Sequence, residues 1–395
     1  MVRLIAAAGA FVVSLDSMVN IAFPAIAAAF GAPPERMRWI IICYVFTYAV
    51  MSFVGGAAAD RLGHTSVLLA GMAVSLAGFI VVGVAPTFGG ILAGRAVQGF
   101  GGGLVYGTAP ALATAGAGAA ERGRRLGFLG AAIGLGFALG PLPAGMLVEA
   151  FGWRAVFHVR VPLMFAALAW ALAGPRAPRI AAGRPVVAGR DLLRGPVLRA
   201  CALNFVANAA IFAIWLLAPF YLITARGLSA SVGGALFMLT PLGTALAAPA
   251  AGRLADAIGP TVPVLAGLGL EMLGLLLLAS ADAATPLTLV ALALLAAGLG
   301  LGAFQVPNQA SVMAAFPADR QGAAGGLTFL ARTLGVVAGV VVLAEVFAAR
   351  RAAMGFQPAF GAALRLAAVV LGAALAAELL ARMVERAARA YTRAR

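Results

Sequence analysis

Asp16 and Arg95 are the two residues least suited to their surroundings. Each stands in a long apolar run, residues 4–30 and 88–115 respectively. Asp16 lies about 18 Å into its run at the helical rise of 1.5 Å per residue. Arg95 lies about 10 Å in from the opposite end of its own run. Across a hydrocarbon core about 30 Å thick, the two share a depth near the midplane. A carboxylate at that depth is costly and needs a partner or a function. In general, burial favours the neutral acid and a nearby cation favours the charged one, so such a pair can hold or exchange a proton as its geometry changes. The competing reading of Asp16 is a structural hydrogen bond, with Asn20 one turn on as its partner. An arginine at Arg95 either modulates Asp16 or locks it in a static ion pair. Gln98, one turn beyond Arg95, can orient either group.

Other polar residues punctuate the apolar runs more sparsely. Arg332 falls about 15 Å into the run 322–348, also near the midplane. Gln305, Asn308 and Gln309 surround Pro307; Asn204, Asn208, Trp215 and Tyr221 share one run; Tyr44, Thr47 and Tyr48 share another. An apolar cavity with a few amides and aromatics suits an amphipathic organic compound. The same amides equally serve as glue between helices. Glu271 is mid-run and reads as a packed hydrogen bond, a contact with Arg365, or a cavity residue. Arg160 reads as paired or snorkelling. Histidine occurs only at 64 and 158, and no cluster of acids, cysteines or serines forms a catalytic centre, so an enzyme is not expected. Neither a metal nor a cofactor is implied. A phosphate-binding Gly-x-x-x-x-Gly-Lys loop is lacking, which argues against ATP-driven transport.

The elements that must position these residues are membrane helices. The chain has 395 residues, 63% of them hydrophobic and 10% charged, with a mean hydropathy of +1.03. That composition is that of a polytopic membrane protein. The net charge of +15 is carried by arginine alone, since the chain contains no lysine. These arginines lie mostly in short connections and the tail, a pattern of topology rather than of nucleic-acid binding. The apolar runs divide the chain into twelve spans. They predict an N-terminal six-helix bundle over 1–174, an arginine-rich cytoplasmic linker over 175–197, a C-terminal six-helix bundle over 198–381 and a basic cytoplasmic tail over 382–395. Arginine placement puts both termini inside, in the cell (inner) membrane. The expected surroundings are the lipid bilayer, protons and a small-molecule substrate, with the chain a monomer.

The two halves are related. Gly56 to Thr65 and Gly252 to Thr261 match at Gly, Asp, Gly and Thr with an offset of 196, seen in Asp60 and Asp256. Pro24 pairs with Pro219 at 195, Pro110 with Pro307 at 197, and Ala120-Glu121-Arg122 with Ala318-Asp319-Arg320 at 198. Four ordered pairs drifting one residue at a time indicate duplication.

On these residues the chain resembles the major facilitator superfamily, and within it the drug:proton antiporter branch that usually has fourteen helices. The Asp60 loop, with Arg61 and Gly63, resembles the signature between helices 2 and 3. Arg95-Ala96-Val97-Gln98-Gly99 resembles the helix 4 arginine motif linked to proton transfer. Gly136-Phe137-Ala138-Leu139-Gly140-Pro141-Leu142-Pro143-Ala144-Gly145 resembles the antiporter motif of helix 5. Leu15 to Pro24 resembles the branch's helix 1 motif, and Trp153-Arg154-Ala155-Val156-Phe157 its entry to helix 6. The chain departs at His64, where a basic residue is usual, at Met18, at Ala257 and Pro260, and at Arg160, where asparagine is common; it has twelve spans, not fourteen.

The resemblance implies an all-α fold of two six-helix bundles with a substrate cavity between them, lined by helices 1, 4, 7 and 10. It implies proton-coupled export of amphipathic compounds or drugs by alternating access, with Asp16, Arg95 and Gln98 in coupling. It implies gating by Asp60, Arg61, Gly63, Asp256, Arg320, Gly136, Gly140, Pro141 and Gly145. Asn20, Tyr44, Tyr48, Asn204, Asn208, Trp215, Gln305, Asn308, Gln309 and Arg332 are the expected cavity residues. Transport of one endogenous metabolite, in either direction, is the nearest alternative; a non-transporting receptor on the same fold is an alternative of another class.

Overall fold

The computed structural model describes residues 1–175, 195–316 and 321–394, and these hold twelve long helices and no strand. They are α1 (Val2–Ala29), α2 (Pro34–Leu62), α3 (His64–Val84), α4 (Phe88–Thr114), α5 (Ala119–Leu139 continued by Pro141–Phe151) and α6 (Ala155–Ala173). After the linker come α7 (Gly195–Ala225), α8 (Ala230–Ile258), α9 (Thr261–Ala279), α10 (Leu287–Ala314), α11 (Gln321–Met354) and α12 (Phe356–Ala394). Among the described residues, eleven helices are long and apolar enough to cross a membrane. The remaining one is α4, which has the length, 27 residues, but carries Arg95, Gln98 and a run of glycines. Most linker residues, 176 to 194, lie outside the described residues. The segment expected to be a tail continues α12 as helix to Ala394.

Helix interruptions fall where the sequence removes a hydrogen bond or bends the backbone. Within α1, Leu15–Ser17 tightens into a 3-10 turn, and Asp16 is its middle residue. Such a turn inside a longer helix often marks a hinge. Gly140 breaks α5, and Pro141 restarts it at the position where a missing N–H costs nothing. In α7, Pro219 ends the α-helical segment and Phe220–Ala225 winds on as a π-helix. Helices α2 and α8 both end two residues past their aspartate, at Leu62 and Ile258, and each is followed by a glycine of positive φ, Gly63 (92°) and Gly259 (86°). Only glycine adopts that backbone readily.

The duplication reappears in packing. A Cβ built on Gly71 of α3 would lie 2.9 Å from the Gly101 carbonyl oxygen, and one on Gly78 2.8 Å from the Gln98 nitrogen. In α9, a Cβ on Gly267 would lie 2.7 Å from the Gly300 oxygen, and one on Gly274 2.5 Å from the Ala297 nitrogen. The α3–α4 contact is therefore rebuilt as α9–α10 at offsets of 196 on one helix and 199 on the other. Ser75 and Glu271 occupy matching places, against Gly101 and Gly300. Without a hydrophobic drive between helices in lipid, backbone approach over small residues supplies much of the packing. Gly300→Val is expected to destabilise the protein by about 1–3 kcal/mol or more, the usual cost of overpacking. Thermal unfolding in detergent checks this against Gly269→Val, whose new side chain meets open space beside Leu375.

Packing separates two compact units: Met1–Arg184 with Trp215–Ala245, and Pro185–Ile214 with Leu246–Arg395. The division passes through α7 and α8, so it follows contacts rather than the sequence repeat. The first unit's core holds Ile5, Met72, Phe79, Val105, Leu112 and Met164, from α1, α3, α4 and α6. Those four helices carry the polar cluster described next.

Candidate functional site

Asp16 and Arg95 meet, as their depths predict. Arg95 donates Nη1 to Asp16 Oδ1 at 2.5 Å and Nη2 to Oδ2 at 2.8 Å, a bidentate charge-assisted pair. Both side chains are buried. The guanidinium is held on every side. Its Nη1 also reaches Gln98 Oε1 at 2.7 Å and its Nε the Ile40 carbonyl at 3.1 Å. The ring of Tyr44 stacks beneath it, 4.2 Å from ring centre to Cζ. Gln98 in turn donates to the Gly78 carbonyl at 3.0 Å, which fixes its amide.

A third charge completes the cluster. Arg160 of α6 donates Nη2 to Asp16 Oδ1 at 3.2 Å. Its guanidinium stacks on Phe79 at 4.1 Å and lies 5.8 Å from the ring of Phe157. Its Nε and Nη1 are buried without a hydrogen-bond partner among the described residues. The cluster is thus two guanidiniums on one carboxylate. Of the two readings of Arg160, paired or snorkelling, the structure shows the first. Arg160 follows the start of α6 by nearly the interval that separates Arg95 from the start of α4. Pairing with Asp16 in particular depends on which way the side chain faces, and depth does not give that.

Two glycines of α5, Gly136 and Gly140, press against the segment that holds Asp16. A Cβ on Gly136 would lie 2.7 Å from the Phe11 carbonyl oxygen, and one on Gly140 would overlap Ser17 Oγ. A Cβ on Gly145 would overlap the Ala230 backbone of α8, and Gly234 lies against the Pro141 carbonyl. Glu149, also on α5, accepts hydrogen bonds from the Ser231 hydroxyl at 2.6 Å and the Ser231 backbone N–H at 3.2 Å. It caps the first turn of α8, a role not foreseen from the sequence.

Asn20 does not bond Asp16. Its Nδ2 donates to the Trp215 carbonyl at 2.7 Å. That acceptor would ordinarily receive the N–H of the residue four positions on, which is Pro219 and has none. Asn20 therefore satisfies an orphan made by a proline. Trp215 also stands edge-on to Phe137 and Phe237. Tyr44 stacks with Tyr48, Tyr48 meets Tyr106 edge-on, and the Tyr106 hydroxyl shares a 2.5 Å hydrogen bond with Ser14 Oγ.

In the second unit the amides are largely spent on helix contacts. Asn204 donates to the Thr328 carbonyl at 2.7 Å, Asn208 to the Asn204 carbonyl at 2.8 Å, and Asn308 to the Ala200 carbonyl at 2.9 Å. Gln305 and Arg332 are half-buried and Gln309 is exposed. Glu271 is fully buried, and neither oxygen has a hydrogen-bond partner among the described residues. Arg365 reaches instead toward the Ala279 carbonyl at 3.4 Å. Of the residues expected to gate, Asp60 is exposed, with Oδ1 3.8 Å from His64 Nε2; Arg61 and Asp256 are exposed as well. Arg320 lies outside the described residues.

The family model of the Major Facilitator Superfamily matches residues 5–340. The chain belongs to that superfamily. It is a multi-pass membrane transporter, not an enzyme. It is similar to Multidrug resistance protein Stp of Mycobacterium tuberculosis (strain CDC 1551 / Oshkosh), with 29% identity over 86% of this chain and 74% of that one. It is also similar to Riboflavin transporter RibZ of Clostridioides difficile (strain 630), with 25% identity over 88% of each. Among solved structures, the nucleoside transporter NupG (D323A mutant) superposes with a TM-score of 0.78 at 12% identity, over 96% of this chain and 99% of that one. At that identity the likeness is one of fold, and it agrees with the all-helical architecture.

Proposed function

We propose that this transporter exports amphipathic organic compounds, including drugs, against proton entry across the cell membrane, with both termini cytoplasmic and the chain acting as a monomer. The observation that carries this is the Asp16–Arg95–Arg160 cluster, set in a 3-10 turn of α1 and pressed by the α5 glycines. A buried carboxylate held by guanidiniums can exchange a proton only if at least one of them withdraws. Any movement of α5 against α1 bears directly on the turn that carries it. Proton exchange at Asp16 and helix rearrangement are thereby linked, as antiport requires. The likeness to Stp supports a drug-like cargo. The likeness to RibZ, which extends over 88% of both chains, favours a second reading, transport of one specific metabolite.

The experiment is a substrate panel in inverted vesicles carrying the full chain, with an imposed pH gradient and a fluorescent pH reporter. Addition of several unrelated amphipathic compounds is expected to dissipate the gradient. A response to a single compound would favour the metabolite reading, and no response to any would contradict proton-coupled export.

A further inference from the structure

The two guanidiniums on Asp16 are not held alike. Arg95 makes two bonds to the carboxylate, one to Gln98 and one to the Ile40 carbonyl, and rests on the Tyr44 ring. Arg160 makes one bond, at 3.2 Å, and leaves Nε and Nη1 buried without a described partner. A side chain with five contacts on four neighbours has few other places to go. One with a single polar contact and two unspent donors gives up only that contact when it turns on its aromatic bed. The charge count requires one of the two to withdraw, and the bond count says which. Protonating Asp16 in place would leave two buried guanidiniums facing no anion, a strongly disfavoured arrangement.

We propose that Arg160, not Arg95, is the guanidinium that releases and re-engages Asp16 during proton exchange. Arg160 is a positioning residue: it acts on the proton through Asp16. When engaged, it holds the carboxylate against protonation; when it turns away, Asp16 keeps Arg95 and can accept a proton on Oδ1. The charged and titratable groups facing Asp16 are Arg95 from α4, Arg160 from α6 and Tyr44 from α2. At this turn α5 contributes glycines. This inference rests on the reading that Asp16 exchanges the coupled proton.

The test is an infrared titration of the purified full chain in lipid, following the C=O stretch of the protonated acid. The Asp16 band is the part absent from Asp16→Asn protein. Arg160→Gln is expected to move its midpoint to higher pH by about 1–3 units, the range for loss of a neighbouring opposite charge. Arg160→Lys, which restores a cation, is expected to bring it back toward the wild-type position. Should Arg160→Gln not reach the membrane, Phe79→Leu loosens the stacked guanidinium without changing any charge, and is expected to shift the midpoint the same way by less. A midpoint unchanged in the folded Arg160→Gln protein, or in Phe79→Leu where it stands in, would overturn the proposal, as would a Lys variant no different from Gln. The titration needs no substrate, so a shift without flux would leave the assignment standing and defeat only the transport reading.

Discussion

Arg95→Met is expected to cost about 3–5 kcal/mol of stability, the range for breaking a buried ion pair by removing one partner. The variant strips Asp16 of both bidentate bonds and leaves it the single 3.2 Å contact with Arg160. It also leaves Gln98 Oε1 without its donor and empties the space over Tyr44. Against a typical total of about 5–15 kcal/mol, that loss threatens the folded state itself. Arg95→Lys should be milder, because charge survives while the fork geometry does not. Thermal unfolding of the detergent-purified proteins checks the order: wild type, then Lys, then Met. By the bond count, Arg160→Met should cost less than Arg95→Met.

The second large effect is on transport. Asp16→Asn is expected to abolish uphill, proton-driven transport while leaving downhill exchange partly intact. An amide fills the carboxylate's space but cannot cycle a proton. It also leaves Arg95 and Arg160 without their anion, so reduced expression is expected, and flux must be normalised to protein in the membrane. Asp16→Glu keeps the ionisable group and should retain some coupling. Full proton-driven flux in the Asn variant would rule out Asp16 as the carrier.

The parts of this arrangement that follow a straight helix were legible in the residues. Index converts to depth at a constant rise, so Asp16 and Arg95 could be paired before any coordinates. The repeat offsets likewise put Asp60 and Asp256 at the ends of α2 and α8 and Pro110 and Pro307 inside α4 and α10, although the packing of α4 and α10 repeats at 199 and the prolines at 197. What depends on azimuth was not legible. Arg160 shared the depth but gave no sign of facing Asp16. Glu271 read as a candidate contact of Arg365, yet among the described residues neither of its oxygens has a hydrogen-bond partner. Asn20 went to a carbonyl of a distant helix, although the cause, a proline four residues past Trp215, was present in the chain. Glu149 lay outside every motif, and its role as a cap depends on how α5 and α8 meet.

The account's central claim is that one buried carboxylate couples proton movement to substrate movement. The most direct measurement reconstitutes the full chain in liposomes, imposes a pH gradient and follows internal pH and a transported amphipathic dye together. The account predicts that wild-type protein moves dye and protons in opposite directions, each dependent on the other, and that Asp16→Asn uncouples them. Dye movement that ignores the gradient in wild-type protein, or coupled movement that persists in Asp16→Asn, would contradict it.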